Sequence, residues 1–287
     1  MKNANFFKKH GFQKENLELI KNTRNSNLLD RLLQTANEIK LEQNYSKSGY
    51  SENIFEKLPL SLKKEIIQLG EKILKNQIIQ SNLFFPSLLN QIVLKTGFSE
   101  ISSNNPTHAQ LWHRDFDDYY PQIKVIIALD KMNKENGMFS VASKKICNES
   151  EILIDDKFCH KLSQINDKYR KEDVVRVSDK TFVKHFNNHI YNFESVKGDM
   201  LFVDTNNCYH KGGQILTEKK ERIVLHFMYG SFTNRYNKFF LEAHKKNSHN
   251  FKSIVYKIII KFVHKFKQLF ILMKYKSNFR SKKVTLN

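Results

Sequence analysis

The chain has 287 residues, 40% of them hydrophobic and 12% aromatic, enough for one substantial core with a helical annex. Its three cysteines, Cys147, Cys159 and Cys208, are too few and too unevenly spaced for a disulfide framework or a four-thiolate zinc site, so a reducing compartment is the simpler expectation. The formal charge of +19 is uneven: residues 243–287 hold 12 Lys and Arg and no acidic residue, leaving about +7, an ordinary value for a basic enzyme, on the rest.

The first twelve residues carry Lys2, Lys8, Lys9 and His10 and no long apolar run, which argues against a secretory signal. No stretch of about 18 apolar residues predicts a spanning helix. The expected location is therefore cytoplasmic. Residues 14–44 read as an amphipathic helix, with Leu17, Ile20, Leu28, Leu32, Leu33, Ile39 and Leu41 between polar residues. A second helical pattern covers 60–79, with Leu62, Ile66, Ile67, Leu69, Ile73 and Leu74 on one face and Pro59 at a tolerated start.

From about Leu88 the texture changes to short apolar runs broken by polar residues and glycine. Strands are predicted at Gln91 to Thr96, Leu111 to Asp115, Ile123 to Leu129, Gly137 to Val141, Met200 to Asp204 and Arg222 to Tyr229. Asn136-Gly137 is a hairpin signal between the third and fourth. The polar stretch 143–192 reads as an insertion with some helix; its His185 and His189 would share a helical face if that segment were helical. The last segment is a basic amphipathic pattern, with Ile254, Ile258, Phe262 and Phe266 on one side and Lys257, Lys261 and Lys267 on the other. It suits either an anionic membrane surface, contacted through residues 250–283, or docking on the domain's own sheet. The segregation of aromatic from basic residues argues against a nucleic-acid platform.

In Gln110-Leu111-Trp112-His113-Arg114-Asp115, an imidazole and a carboxylate lie two residues apart, on one side of a strand. A second histidine on another strand would complete a two-His, one-carboxylate set for an octahedral ion; a zinc hydrolase would accept the same ligands. A His-x-Asp pair alone is weak, because the chain has 11 His and many acidic residues. Trp112 alternates with the two ligands and should face the core. Cys208, two residues before His210, reads better as a buried thiol than as a soft-metal ligand.

With its surroundings, the motif resembles the phytanoyl-CoA dioxygenase-like family of Fe(II)/2-oxoglutarate-dependent oxygenases. The matching text is Gln110 to Asp115, the strand Ile123 to Leu129 with Asp130, then Glu135-Asn136-Gly137. Further on come Gly198 to Thr205, His210-Lys211-Gly212-Gly213 and Arg222 to Leu225, in the family's order over about half the chain. The resemblance implies a mainly β fold with a double-stranded β-helix (jelly roll) core, expected over 88–240, to which the residue patterns add N-terminal helices over 1–87 and the basic amphipathic tail over 241–287. It implies His113, Asp115 and His210 as iron ligands and Arg222 as the partner of the distal carboxylate of 2-oxoglutarate. The cofactors implied are Fe(II), 2-oxoglutarate and O2. The implied reaction is hydroxylation of a small organic or lipid- or glycan-linked substrate, with succinate and CO2 released. A planar guanidinium suits bidentate carboxylate binding. Two features depart from the family: Val141-Ala142-Ser143-Lys144-Lys145 replaces its usual turn after the Asn-Gly pair, and Gly212 stands where a hydroxyl residue is common. The rival readings are a non-catalytic jelly-roll binding module and a metal-dependent hydrolase.

Overall fold

A computed structural model describes residues 2–17, 24–41, 51–83, 86–98, 108–115, 122–146, 178–217 and 220–231. The chain divides into two units, Met1–Asn234 and Arg235–Asn287, and all described residues fall in the first. The C-terminal amphipathic segment and most of the 143–192 insertion lie outside them. Among the described residues no helix is long and apolar enough to cross a membrane.

Helix α1 (Lys2–His10) leads into strand β1 (Phe12–Asn16), followed by α2 (Arg24–Glu38), β2 (Ser51–Asn53), α3 (Leu60–Ile73) and α4 (Gln77–Asn82). Then come β3 (Pro86–Thr96), β4 (Gln122–Ala128), β5 (Phe139–Ala142), α5 (Asp179–Phe186), β6 (Ile190–Phe193), β7 (Asp199–Val203), β8 (His210–Lys211) and β9 (Arg222–Ser231). The described strands form a six-stranded sheet in the order β1-β7-β4-β9-β3-β2 and a three-stranded sheet β6-β5-β8, with antiparallel pairing throughout.

The centre of the large sheet is buried on both sides, which is why β4 and β7 read as apolar runs, broken within β4 by Lys124. On its outer side Ile123, Val125 and Ile127 of β4, Met200 and Phe202 of β7, and Ile223, Leu225, Phe227 and Tyr229 of β9 pack against the helices. Helix α3 presents Leu62, Ile66, Leu69 and Ile73, the spacing of one helical face. The Tyr229 hydroxyl reaches into this layer and donates to the Gly70 carbonyl at 2.8 Å. On the inner side Ile126, Ala128, Leu201, Val203 and Val224 meet Val141 and Phe193 of the small sheet.

Three sequence expectations are corrected. The helix over 14–44 is shorter: residues 12–16 instead pair antiparallel with β7, Phe12 opposite Val203 through Asn16 opposite Asp199. An edge strand gains its stability from the partner's unpaired N–H and C=O groups, so Gln-Lys-Glu-Asn needs no apolar alternation. The helix over 60–79 is two helices, because the Asn76 side chain accepts from the Ile78 N–H at 2.8 Å and caps a new start. The Asn136-Gly137 turn does not close a hairpin: β4 and β5 belong to different sheets, and the turn carries the chain from one to the other.

Lys95 is buried on β3, its Nζ donating to the carbonyls of Ala36, Asn37 and Ile39 at 3.1, 3.4 and 2.9 Å and pairing with Glu221 at 3.1 Å. It thereby satisfies the orphan carbonyls at the end of α2 and places a cation at the negative end of that helix.

Candidate metal centre

The predicted strand over 111–115 is not a regular strand. A short 3-10 turn, His108–Gln110, is followed by a bend, and His113 forms an isolated antiparallel bridge with His210. The bridge is reciprocal: His113 N–H donates to the His210 carbonyl at 3.0 Å, and His210 N–H to the His113 carbonyl at 2.8 Å. Two residues that exchange both backbone bonds point their side chains to the same face. The imidazole centroids lie 4.4 Å apart. Asp115 is placed separately, by its N–H donating to the Thr205 carbonyl at 2.9 Å.

Each imidazole is held by a backbone acceptor, with His113 Nδ1 at 2.7 Å from the Leu111 carbonyl and His210 Nδ1 at 3.1 Å from the Cys208 carbonyl. A carbonyl only accepts, so in each ring Nδ1 holds a proton, and in the neutral form that a metal requires the lone pair lies on Nε2. Both Nε2 atoms face Asp115 Oδ1, at 3.9 Å from His113 and 3.6 Å from His210. The three ligand atoms lie within 4.8 Å of one another.

Electrostatics favour a neutral His210 ring and an ionised Asp115 carboxylate. Burial pushes the His210 imidazole down to about 3, with His113 and Lys124 adding to the fall and Asp115 opposing it. Burial by itself would raise the Asp115 carboxyl. The Lys124 ammonium, the His210 ring and the Thr205 hydroxyl bond together outweigh it and hold the carboxyl well below the usual carboxylate range. Two neutral imidazoles and one carboxylate on a common face fit an octahedral divalent ion with three positions left for other ligands. The Nδ1 to carbonyl bonds are the supporting contacts that such imidazoles use.

Arg222 starts β9 on the same inner face and is buried; burial lowers it to about 10, so it keeps its charge at neutral pH. Its Nη1 donates to the Gly137 carbonyl and, at 3.0 Å, to the Gly213 carbonyl; its Nη2 lies 3.4 Å from Thr96 Oγ1. Among the described residues no carboxylate pairs with it. The two carbonyls are brought together by glycine: Gly137 has φ +75°, and a Cβ on Gly213 would stand 2.6 Å from the Gly137 carbonyl carbon and 2.4 Å from the Met138 oxygen. Gly212 leaves open the place where a hydroxyl was expected, and the Thr96 hydroxyl of β3 stands beside the guanidinium instead.

Trp112 faces away from the ligands as expected, 1% exposed, stacked on Phe182 and donating from Nε1 to Asp179 at 2.7 Å. Cys208 is buried with Sγ 3.5 Å from the His10 carbonyl, outside the ligand cluster. The helix α5 ends at Phe186 and His189 follows in a 3-10 turn, exposed, so the helical spacing of His185 and His189 is not kept.

Sequence reasoning missed Gln122, Lys124 and His226. Lys124 Nζ is 3.1 Å from Asp115 Oδ2, and Gln122 Nε2 lies 3.4 Å from the same oxygen and 3.1 Å from Thr205 Oγ1. His226, opposite Ile126, is pushed down to about 3 by burial, with Lys124, Arg222 and His210 all adding to the fall. Counting in twos from Arg222 along β9 and from Ala128 back along β4 would have put all three on the inner face.

No protein-family model and no curated protein sequence matches the chain. Among solved structures, the epimerase SnoN from nogalamycin biosynthesis superposes with a TM-score of 0.50 at 11% identity, covering 80% of this chain and 82% of its own. A second SnoN structure, in complex with Fe3+, α-ketoglutarate and nogalamycin RO, gives 0.50 at 10% identity over the same shares. HygX from Streptomyces hygroscopicus, with nickel and 2-oxoglutarate bound, gives 0.48 at 12% identity, covering 80% of this chain and 87% of its own. At such identities the likeness to SnoN shows the fold alone.

Proposed function

We propose that this protein is an Fe(II)/2-oxoglutarate-dependent dioxygenase with a double-stranded β-helix core, hydroxylating a small organic substrate with release of succinate and CO2. The observation that carries the reading is the convergence of His113 Nε2, His210 Nε2 and Asp115 Oδ1 within 4.8 Å. A buried guanidinium without a carboxylate partner among the described residues shares the inner face of the sheet. Metal and 2-oxoglutarate in the SnoN complex support it, as does the sequence resemblance to the phytanoyl-CoA dioxygenase-like family.

His113, Asp115 and His210 would hold the iron. When bound, the iron supplies the activation of O2 coupled to oxidative decarboxylation of the co-substrate, which no side chain here can perform. The chain's part is binding, orientation and exclusion of water. Arg222 would take the distal carboxylate of 2-oxoglutarate: its fork is aimed by the Gly137 and Gly213 carbonyls, and the Thr96 hydroxyl offers a further polar contact. The inner apolar wall, Ile126, Val224 and the partly buried Leu94 and Phe139, keeps water from the reacting atoms. Phe139 also stacks on His210, centroids 5.6 Å apart, and limits the tilt of that ring.

Anaerobically prepared protein given Fe(II) and 2-oxoglutarate should release succinate when O2 is admitted, faster with substrate candidates present. His210→Ala should bring release down to background while the protein stays folded. Failure of the wild type to bind either a divalent metal or 2-oxoglutarate would overturn the proposal in favour of a binding module that kept the fold.

A further inference from the structure

The two oxygens of Asp115 face different partners. Oδ1 is turned to the two imidazoles, whereas Oδ2 accepts from Lys124 Nζ at 3.1 Å and lies 3.4 Å from Gln122 Nε2. Lys124 lies on β4 opposite Val203 and Met228, on the inner face of the sheet, its side chain 17% exposed. Among the described residues Asp115 is its only carboxylate partner. The negative charge that the metal ligands contribute is thus already matched by a fixed cation.

The charge count has a consequence. Two neutral imidazoles, one carboxylate and one ammonium sum to zero, so the protein offers a divalent ion no net negative charge, and Arg222 adds a further positive charge on the same face. In a partly buried site, unlike in water, that imbalance is weakly screened. A dianion that chelates the ion restores the balance. We propose, on the reading of the site given above, that Lys124 makes metal binding conditional on an anionic co-ligand: a divalent ion alone binds weakly, and the ion and a 2-oxo dicarboxylate bind tightly together. The coupling is reciprocal, so the same factor that tightens the metal tightens the acid. Gln122 Nε2, 3.4 Å from Oδ2, and the Thr205 carbonyl, which accepts the Asp115 N–H, are neutral partners of Asp115 that a Lys124 substitution leaves in the chain.

Mn(II) serves as the probe, its binding to the full chain measured with and without saturating 2-oxoglutarate, and folding followed by thermal unfolding. In the wild type, 2-oxoglutarate should tighten Mn(II) by about ten-fold or more. Lys124→Met should bind Mn(II) alone about ten-fold tighter than the wild type and lose most of the coupling. Lys124→Arg, which keeps the charge, should behave as the wild type does. Lys124→Gln is a second neutral variant with the same expected result as Lys124→Met. Wild-type Mn(II) affinity indifferent to 2-oxoglutarate overturns the inference without any variant, and so do neutral variants that bind Mn(II) no tighter alone. Those results leave the proposed activity standing, because metal and acid still bind. A wild type that binds neither removes both.

Discussion

Strand β9 has two faces built to opposite ends. Ile223, Leu225, Phe227 and Tyr229 point outward into the helical layer and are almost fully buried, while Arg222, Val224, His226 and Met228 point inward, and three of those four are polar or only half-buried. Strand β4 repeats the division, with Ile123, Val125 and Ile127 outside and Gln122, Lys124 and Ile126 inside. The same ladder of backbone hydrogen bonds serves both. The apolar face holds the sheet in place, so that the inner face can place an ammonium, a guanidinium and an imidazole close together at sites where each costs stability.

That contrast predicts substitutions that separate stability from binding. The largest effect belongs outside: Phe227→Ala should destabilise the fold by about 3–5 kcal/mol, read by denaturant unfolding, while the folded fraction keeps its Mn(II) affinity. Equal loss of both would mean that the two faces are not independent. Next comes Arg222→Lys, which keeps the charge and loses the planar fork. It should weaken 2-oxoglutarate binding about ten-fold in a calorimetric titration with only a small change in Tm. Unchanged affinity would remove Arg222 from the proposed carboxylate site.

A third test of the inner face is pH dependence. His210 and His226 are held at about 3 in the folded metal-free protein against about 6.5 when unfolded, so below pH 6.5 the unfolded chain takes up protons that the folded chain refuses. Stability is therefore lost as pH falls from about 6.5 toward 3. Asp115, depressed in the fold, adds a loss of the same sign at the acid end of that window. Tm should fall by roughly 5 °C or more between pH 7 and pH 4.5, and His226→Leu should flatten the slope. A slope unaltered in His226→Leu would mean that His226 takes up its proton as readily in the folded as in the unfolded state.

The residues that could be read from sequence were those where one physical demand dominates. Strands β4, β7 and β9 stood out because burial on both sides makes their texture continuous, and His113, Asp115, His210 and Arg222 stood out through their order along the chain. The turn at Asn136-Gly137 was legible from its residue types, yet its partners were not, because a turn that passes between sheets has the same local chemistry as one that closes a hairpin. Strands β1 and β2, Phe-Gln-Lys-Glu-Asn and Ser-Glu-Asn, have no signal of their own and exist because an edge was open to them. Lys124 was hidden inside an apolar run, where a single polar residue reads as an interruption. Its role depends on Asp115, which approaches from another segment.

Lys95 bears on where this molecule can be cut. Its ammonium takes three backbone carbonyls at the end of α2 and the carboxylate of Glu221, whose neighbour Arg222 lies opposite Thr96 across the β3–β9 ladder. An expression boundary at residue 88 would strip away those carbonyls and leave a buried cation facing one half-exposed glutamate, while also removing two strands of the large sheet. The amino-terminal eighty residues and the β-rich core are thus one cooperative unit of inheritance: a graft, a fusion or a recombination event has to move them together.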